Sequence, residues 1–283
     1  MQTHLRGFLF GWVFMETKIT VSSRDVYSAE QTTDGKRIRG CPSGLGRRAQ
    51  LPELGRVDSF AGGAKGAATK ETAMIKISGL RFSNYYSLTK AVMVEKGIEF
   101  EEVKHPPSQD EDYLGKSPMG KMPYIEVDGK YMSESLAITS FLERAYPEPA
   151  LLPGDPFAAG KVMELCCHCK LDVELVARRC LPELLFGTPV SEETKEQVRA
   201  DLPKGMAAVR KLFKGAPYAA GSELTLADFY LFYCLGTASG LAQAVAGVDL
   251  LADDPAIQEC LARLAEHPSI ARVTAEAARK KKS

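Results

Sequence analysis

Residues 117–138 have the sequence SPMGKMPYIEVDGKYMSESLAI, and this stretch decides the fold. The pair Asp128-Gly129 separates two strand-like runs, which predicts an antiparallel β-hairpin. Ser133 then stands as a candidate N-cap of a helix over residues 134–146. Pro123 precedes the first strand of the hairpin. It fits there either after a cis Met122–Pro123 bond or as an ordinary trans proline, which the sequence alone favours.

The segment before this stretch has the pattern of a strand–helix–strand unit. A strand is predicted over residues 75–77 and a loop over residues 80–86. A helix over residues 88–96 and a second strand over residues 98–100 follow. Gly97 is a typical residue to follow the end of a helix. Short connections between these elements favour a parallel strand pair joined by a right-handed crossover. Together with the hairpin, they predict a small mixed sheet of four strands with helices packed on it.

A proline-rich linker over residues 147–156 precedes a second half that is predicted to be largely helical. One long helix is expected to end near Leu181, and a second covers residues 191–213. Thr225 as N-cap and Asp228 three residues later form a variant of the capping box, which indicates a folding role rather than a catalytic role for Asp228.

The run CCHC at residues 166–169 contains a C-x-x-C pair, but no second pair supplies the four ligands of a structural zinc site. On a helix, Cys166 and Cys169 share one face. We therefore interpret these cysteines as small buried side chains and predict no metal site.

Composition narrows the function classes. The 283 residues hold 36 Lys/Arg and 36 Asp/Glu, so there is no basic excess for holding a nucleic acid. No apolar run approaches the roughly 18 to 20 residues of a membrane-spanning helix. Seven cysteines, an odd number, indicate reduced thiols in a cytoplasmic protein. Residues 1–73 are basic and rich in Gly, Ser and Arg, and they are predicted to be a disordered leader or an upstream extension.

The order of these features, a proline before a strand, an Asp-Gly hairpin and Glu-Ser at a helix start, resembles the cytosolic glutathione transferases over residues 74–283. The resemblance implies a thioredoxin-like, glutathione-binding domain over residues 74–150, followed by an all-helical domain over residues 151–283 that carries the electrophile pocket. It further implies a cytoplasmic, homodimeric detoxification enzyme of bacterial type. The resemblance also implies that reduced glutathione is the co-substrate and that a small electrophile, a peroxide or a disulfide is the second substrate. It implies no permanently bound cofactor.

Five residues are the predicted glutathione contacts. Ser135 lies in the first turn of the helix, where free N–H groups and the helix dipole favour a carboxylate. Glu134 supplies an anion for the ligand ammonium, and Lys121 a cation for the glycine carboxylate. The backbone of Met122, before Pro123, is expected to pair with the cysteinyl amide as an added strand would. The family resemblance implies the same roles.

A donor to the glutathione thiolate is expected in the loop RFSNYYS, residues 81–87, because a free thiol is mostly protonated at neutral pH. Ser83 is the first candidate, at the place where the serine-type (theta and zeta) classes carry their catalytic serine. Tyr86 and Tyr85 are alternatives as phenol donors, and Asn84 as an amide donor. Asn84 and Tyr85 replace the Ser and Cys of the zeta pattern, which disfavours a cysteine mechanism.

Arg178 and Arg179 end the predicted long helix. The resemblance places this helix beside the electrophile pocket, where either arginine is a candidate to steer an anionic co-substrate. The alternative is that they complement the helix dipole at the surface. An alternative for the whole protein is a non-catalytic glutathione-fold module that serves in ligand binding or assembly.

Overall fold

The computed structural model describes residues 74–278 of the chain. The predicted leader, residues 1–73, lies outside the described residues.

A four-stranded mixed sheet forms the first half. Its strands are β1 (Ile75–Gly79), β2 (Phe100–Lys104), β3 (Tyr124–Val127) and β4 (Lys130–Ser133), in the spatial order β2-β1-β3-β4. Strand β1 pairs with β2 in parallel and with β3 antiparallel, and β3 pairs with β4 antiparallel. The predicted parallel strand pair and the predicted hairpin are both confirmed. The side chains of Ile75, Ile77 and Ile125 are buried, so the core of this half lies against β1 and β3.

Three helices accompany the sheet: α1 (Asn84–Glu95), α2 (Glu111–Leu114) and α3 (Ser135–Ala145). Helix α1 begins within the predicted loop, because Ser83 caps it and the Ser83 Oγ accepts a hydrogen bond from Tyr86 N at 3.4 Å. The predicted cap of α3 is wrong. Ser133 is the last residue of β4, where it pairs with Tyr124, and Glu134 occupies the N-cap position.

The second half is helical. Its α-helices are α4 (Pro156–Cys167), α5 (Leu175–Ala177), α6 (Leu181–Phe186), α7 (Glu192–Leu212), α8 (Leu226–Tyr230), α9 (Gly236–Leu241), α10 (Pro255–Glu266) and α11 (Pro268–Ala278). Between them lie three π-helical segments, His168–Glu174, Leu231–Leu235 and Ala242–Ala246, and one 3₁₀ turn, Arg178–Cys180. The predicted long helix corresponds to the unbroken helical run over residues 156–186. The second predicted helix is confirmed as α7.

The π-helical segment His168–Glu174 packs directly on α7 at Gly205. A Cβ at Gly205 would lie 2.2 Å from the carbonyl oxygen of Asp172 and 3.0 Å from Val173 Cγ2. Glycine is therefore required for this contact, which brings the backbones of the two helices together.

A helical run over residues 226–246 corrects one expectation from the sequence. Leu226–Ala246 is 21 residues long with a mean hydropathy of 1.2, so by length and composition alone it is sufficient to cross a membrane. However, 67% of the 18-residue apolar window within this run is buried in the fold. The run therefore has the character of a central core helix.

The capping network at the start of α8 agrees with the prediction. Asp228 is buried, and its Oδ2 accepts hydrogen bonds from Thr225 N at 2.8 Å and Thr225 Oγ1 at 3.0 Å. Its Oδ1 accepts from Ala219 N at 2.7 Å, which ties the preceding loop to the helix. Asp228 thus satisfies backbone donors in the core.

We expect Thr225→Ala to lower the free energy of unfolding by about 1 to 2 kcal/mol, because the buried Asp228 loses one donor and α8 loses its cap. The measurement is urea denaturation followed by circular dichroism. Thr225→Ser is the matched control, since it keeps the hydroxyl. A Thr225→Ala protein that unfolds at the same urea concentration as the parent would contradict the assigned role.

Candidate functional site

The end of β1 brings the first turn of α1 next to Met122. A Cβ at Gly79 would lie 2.7 Å from Tyr86 Cδ2 and 3.3 Å from Met122 Cβ, and Gly79 has a φ of +155°. Only glycine fits this position without displacing its neighbours. Because Ser83 caps the same helix turn, the loop that carries Ser83 and the segment before Pro123 meet beyond the end of β1, an inner strand of the sheet.

The segment before β3 has a cis peptide bond between Met122 and Pro123, rather than the trans form that the sequence alone favours. Pro123 is buried and Met122 is half-buried. The carbonyl oxygen of Lys121 accepts hydrogen bonds from Ser117 Oγ at 2.7 Å and Tyr113 Oη at 3.4 Å, and the Lys121 side chain is exposed. The hydrogen bonds from Ser117 and Tyr113 therefore fix the main chain just before the cis bond.

Glu134 has a left-handed backbone at the junction of β4 and α3, with φ 70° and ψ 117°. Positive φ is uncommon for a residue with a side chain, and such strained residues concentrate at functional sites. Glu134 is exposed, whereas Ser135, the first residue of α3, is buried. The two predicted contacts for one end of the ligand are thus adjacent at a helix N-terminus.

Lys170 reaches this pair from the helical half. Its Nζ lies 2.8 Å from Glu134 Oε2 and 3.4 Å from Ser135 Oγ. Sequence analysis missed Lys170, which lies in the π-helical segment His168–Glu174.

A buried polar cluster joins the start of α1 to the helical half. The Tyr85 hydroxyl donates to Glu174 Oε2 at 2.5 Å, and Asn84 Nδ2 donates to Glu174 Oε1 at 3.2 Å. The Arg178 guanidinium donates to Asn84 Oδ1 at 2.8 Å and also to Glu174. Burial above all, with the nearby Glu174 adding to it, raises the pKa of Tyr85 well above its ordinary value. The Tyr85 hydrogen is therefore retained and engaged with Glu174.

Tyr86 is engaged on the other side of α1. Its buried hydroxyl donates to Glu102 Oε2 at 2.8 Å. Burial and this hydrogen bond raise the pKa of Tyr86 far above its ordinary value. Glu102 also forms ion pairs with Lys90 at 2.7 Å and Arg81 at 3.3 Å, so the phenol belongs to a charged cluster beneath the loop.

Ser83 keeps its own hydroxyl hydrogen. Its Oγ acts as an acceptor for Tyr86 N, and no acceptor within residues 74–278 takes the Ser83 hydrogen. A serine hydroxyl accepts and donates at the same time, so capping α1 leaves it able to donate to a ligand.

The two arginines proposed for the second pocket are not brought together. Arg178 belongs to the buried cluster and contacts Asn84, one residue from Ser83. Arg179 instead pairs with Asp201 on α7 at 3.1 Å, which draws it away from α1. Burial disfavours the charged form of Arg178, but the adjacent Glu174 outweighs this and raises the pKa of Arg178.

One sequence signal was available for the missed residues. Lys170, Glu174 and Arg178 are spaced four apart in a helical stretch, a spacing that places charges on one face of a helix.

The structure supports the interpretation of the cysteines in the CCHC run as small buried side chains. Cys166 and Cys169 are buried, and burial raises the pKa of the Cys169 thiol well above its ordinary value. His168 Nδ1 lies 2.6 Å from Asp172 Oδ2. In the part of the chain that the structure describes, no group of three or more metal-ligating side chains is present.

Comparisons with known proteins identify the family of this chain. The glutathione S-transferase N-terminal domain matches residues 78–150, and the glutathione S-transferase C-terminal domain matches residues 183–276. A glutathione S-transferase of Pseudomonas putida is 39% identical over 203 residues, which cover 72% of this chain and 92% of that protein. A maleylacetoacetate isomerase of Pseudomonas aeruginosa is 31% identical over 121 residues, which cover 42% of this chain and 57% of that protein.

The fold is also similar to solved structures. A glutathione S-transferase of Methylobacterium radiotolerans in complex with glutathione sulfonate superposes with a TM-score of 0.60 at 22% identity, over 71% of this chain and 94% of that chain. A bacterial maleyl pyruvate isomerase of the zeta class superposes with a TM-score of 0.57 at 24% identity, over 74% of this chain and 100% of that chain.

The chain belongs to the glutathione S-transferase family. The family predicted from residues 117–138 and the predicted fold, a thioredoxin-like sheet half followed by a helical half, are confirmed.

We expect Tyr85→Phe to lower the free energy of unfolding by about 1 to 3 kcal/mol, because the buried Glu174 loses a hydrogen-bond donor. It should leave the ionisation of bound glutathione unchanged, because the phenol is engaged with Glu174. The measurements are urea denaturation and the ultraviolet absorbance of the bound thiolate. Loss of the thiolate signal without loss of stability would instead identify Tyr85 as the thiol donor.

Proposed function

We propose that Ser83 donates the hydrogen bond that stabilises the glutathione thiolate in this transferase. One observation carries the proposal. Of the four candidates in the loop, Asn84, Tyr85 and Tyr86 each donate to a carboxylate, whereas the hydroxyl hydrogen of Ser83, at the N-terminus of α1, has no acceptor among residues 74–278. The positive end of α1 adds to the stabilisation of an anionic sulfur there.

Glutathione is the proposed co-substrate, held along the cis Met122–Pro123 segment. The Met122 backbone pairs with the cysteinyl amide, and the exposed Lys121 meets the glycine carboxylate. Ser135 and the first N–H groups of α3 hold the carboxylate at the γ-glutamyl end, and Glu134 faces its ammonium. The fixed main chain at Lys121 and the strained backbone at Glu134 support this arrangement.

The reaction is nucleophilic attack by the thiolate on a small electrophile. A sulfur–carbon bond forms, and the leaving group departs with its bonding electron pair, as in transfer of an alkyl or aryl group; a peroxide or a disulfide is an alternative acceptor. Arg178, next to Asn84, remains the candidate for steering an anionic co-substrate. The serine-type chemistry, detoxification and a cytoplasmic location belong to the same proposal. The family relatives do not favour a non-catalytic module.

The overall proposal is tested by titrating the full chain with reduced glutathione in a calorimeter and assaying turnover with a generic aryl halide. Heat of binding together with conjugate formation is the expected result. Binding without turnover across aryl halides, peroxides and disulfides would favour the non-catalytic module.

We expect Ser83→Ala to lower kcat/KM at neutral pH by about 10- to 100-fold, which corresponds to the loss of one hydrogen bond to a charged group. The pH–rate profile should shift to higher pH, because the bound thiol then ionises closer to its free pKa of about 8.5.

Ser83→Asp is the matched control for the folding role of this residue. Aspartate caps a helix as well as serine does, but it has no hydrogen to donate at neutral pH. It should therefore retain stability and lose activity. Full turnover in both variants would remove Ser83 from the mechanism.

A homodimer is also proposed, with α3 and β4 at its interface. This face carries a cavity of about 620 Å³ lined by Met132, Ala137, Ser140, Phe141, Arg144 and Ala145. Its lining includes none of residues 81–87. An open, largely apolar hollow on a surface helix is typical of a face that another protein covers.

We expect Ala137→Glu to convert the dimer to a monomer, because it places a charge in the centre of this hollow. Ala137 is exposed in the single chain, so the fold itself should tolerate the change. Sedimentation velocity measures the outcome, with Ala137→Ser as the control. A chain that is already monomeric before substitution would exclude this interface.

A further inference from the structure

We propose that Lys170, from the helical half, binds the α-carboxylate of the γ-glutamyl group while Glu134 binds its α-ammonium, so that the ion pair between Lys170 and Glu134 recognises the zwitterionic end of the ligand. This inference rests on the proposed function, because it assigns a further contact in the same glutathione site.

The first argument is geometric. Lys170 Nζ lies 3.4 Å from Ser135 Oγ and 2.8 Å from Glu134 Oε2. The Lys170 ammonium therefore lies against both Glu134 and Ser135 at the N-terminus of α3, and the Ser135 hydroxyl is also hydrogen-bonded to the buried Tyr230. An anion at this place receives the helix N–H groups, a hydroxyl and a full positive charge together.

The second argument is the hydrogen-bonding capacity of Lys170. Its side chain is only 8% exposed, and an ammonium has three N–H donors. The structure gives these donors two oxygen acceptors, at 2.8 and 3.4 Å, and the ring of Tyr85 lies 5.2 Å away. Burying a cation is costly unless it is well paired. A ligand carboxylate that contacts the remaining N–H donor of Lys170 would complete the coordination of its ammonium.

The third argument is charge complementarity. Glu134 is paired with Lys170 through Oε2, which leaves Oε1 for a ligand ammonium, and the side chain of Glu134 is 56% exposed. The two protein charges are therefore adjacent and opposite, as are the two charges on the α-carbon of the γ-glutamyl group. A ligand lacking either charge would leave one protein charge uncompensated.

Lys90 provides a comparison within the same fold. Its side chain is 3% exposed, and it joins α1 to Glu102 on β2 at 2.7 Å and to Glu276 on α11 at 2.5 Å. Lys90 thus has two carboxylates, as expected for a purely structural buried lysine. Lys170 has one carboxylate and a hydroxyl that belongs to the predicted ligand site.

The test is calorimetric titration of the full chain with three ligands. These are glutathione, glutaryl-cysteinylglycine, which lacks the α-ammonium, and 4-aminobutyryl-cysteinylglycine, which lacks the α-carboxylate. We expect Lys170→Met to weaken glutathione and the glutaryl peptide by about 10- to 100-fold and the aminobutyryl peptide by less than about threefold. Glu134→Gln should show the opposite selectivity, weakening glutathione and the aminobutyryl peptide.

Three further variants separate binding from folding. Lys170→Arg keeps the cation and should retain the preference for ligands with an α-carboxylate. The double variant Lys170→Met/Glu134→Gln leaves no unpaired charge, so it should fold and bind all three ligands weakly, with only the preference for an α-carboxylate that Ser135 and the N–H groups of α3 supply. Lys90→Met removes a buried interdomain lysine elsewhere and should change the affinity for the three ligands by one common factor.

Two results overturn the inference in distinguishable ways. If the unmodified chain binds glutathione but Lys170→Met lowers the affinity for all three ligands by one common factor, or not at all, Lys170 is a structural lysine and the proposed function stands. If the unmodified chain gives no binding heat with glutathione at millimolar concentration, the proposed function fails and the inference fails with it.

Discussion

The carboxylate of Glu174 is the constraint on which the rest of the site depends. It is fully buried where the sheet half meets the helical half, and it receives hydrogen bonds from Asn84, Tyr85 and Arg178. A buried charge is tolerated only when its acceptors are well satisfied, so these donors cannot be withdrawn at low cost. The start of α1 is thereby fixed against the helical half.

Because of this constraint, neighbouring polar residues of one loop have different roles. Asn84 and Tyr85 serve the contact between the two halves, and Tyr86 serves the cluster around Glu102. Ser83 caps the helix with an oxygen lone pair, so its hydroxyl hydrogen is not used by the cap. Four polar side chains that look interchangeable in the sequence are therefore distinguished by what each of them already binds.

The backbone architecture was largely predictable, because local patterns determine it. The Asp128-Gly129 turn, the parallel pair around α1 and the cap at Thr225 each depend on residues close in sequence. The start of α3 was predicted wrongly at Ser133, since the left-handed backbone of Glu134 has no signal in the residue type.

The interdomain contacts were the part that local patterns could not supply. Lys170 and Glu174 meet partners about 35 and 90 residues earlier in the chain, at Glu134, Asn84 and Tyr85. A charge spacing of four along a helix indicates a common face, but it does not say which distant segment that face contacts. Only the packing of the two halves identifies the partners.

The π-helical segment His168–Glu174 has a consequence for comparing relatives of this protein. A π-helical turn accommodates an extra residue relative to an α-helix, so the extra residue is absorbed locally and the helix that follows keeps its orientation. A deletion of one residue that returned this turn to an α-helix would therefore leave Arg178 facing Asn84, whereas the same deletion in a regular α-helix would rotate the downstream residues by about 100°. A homologue whose helix is one residue shorter at this point would thus keep the same side-chain positions, while an alignment without a gap would pair every later residue with the wrong partner.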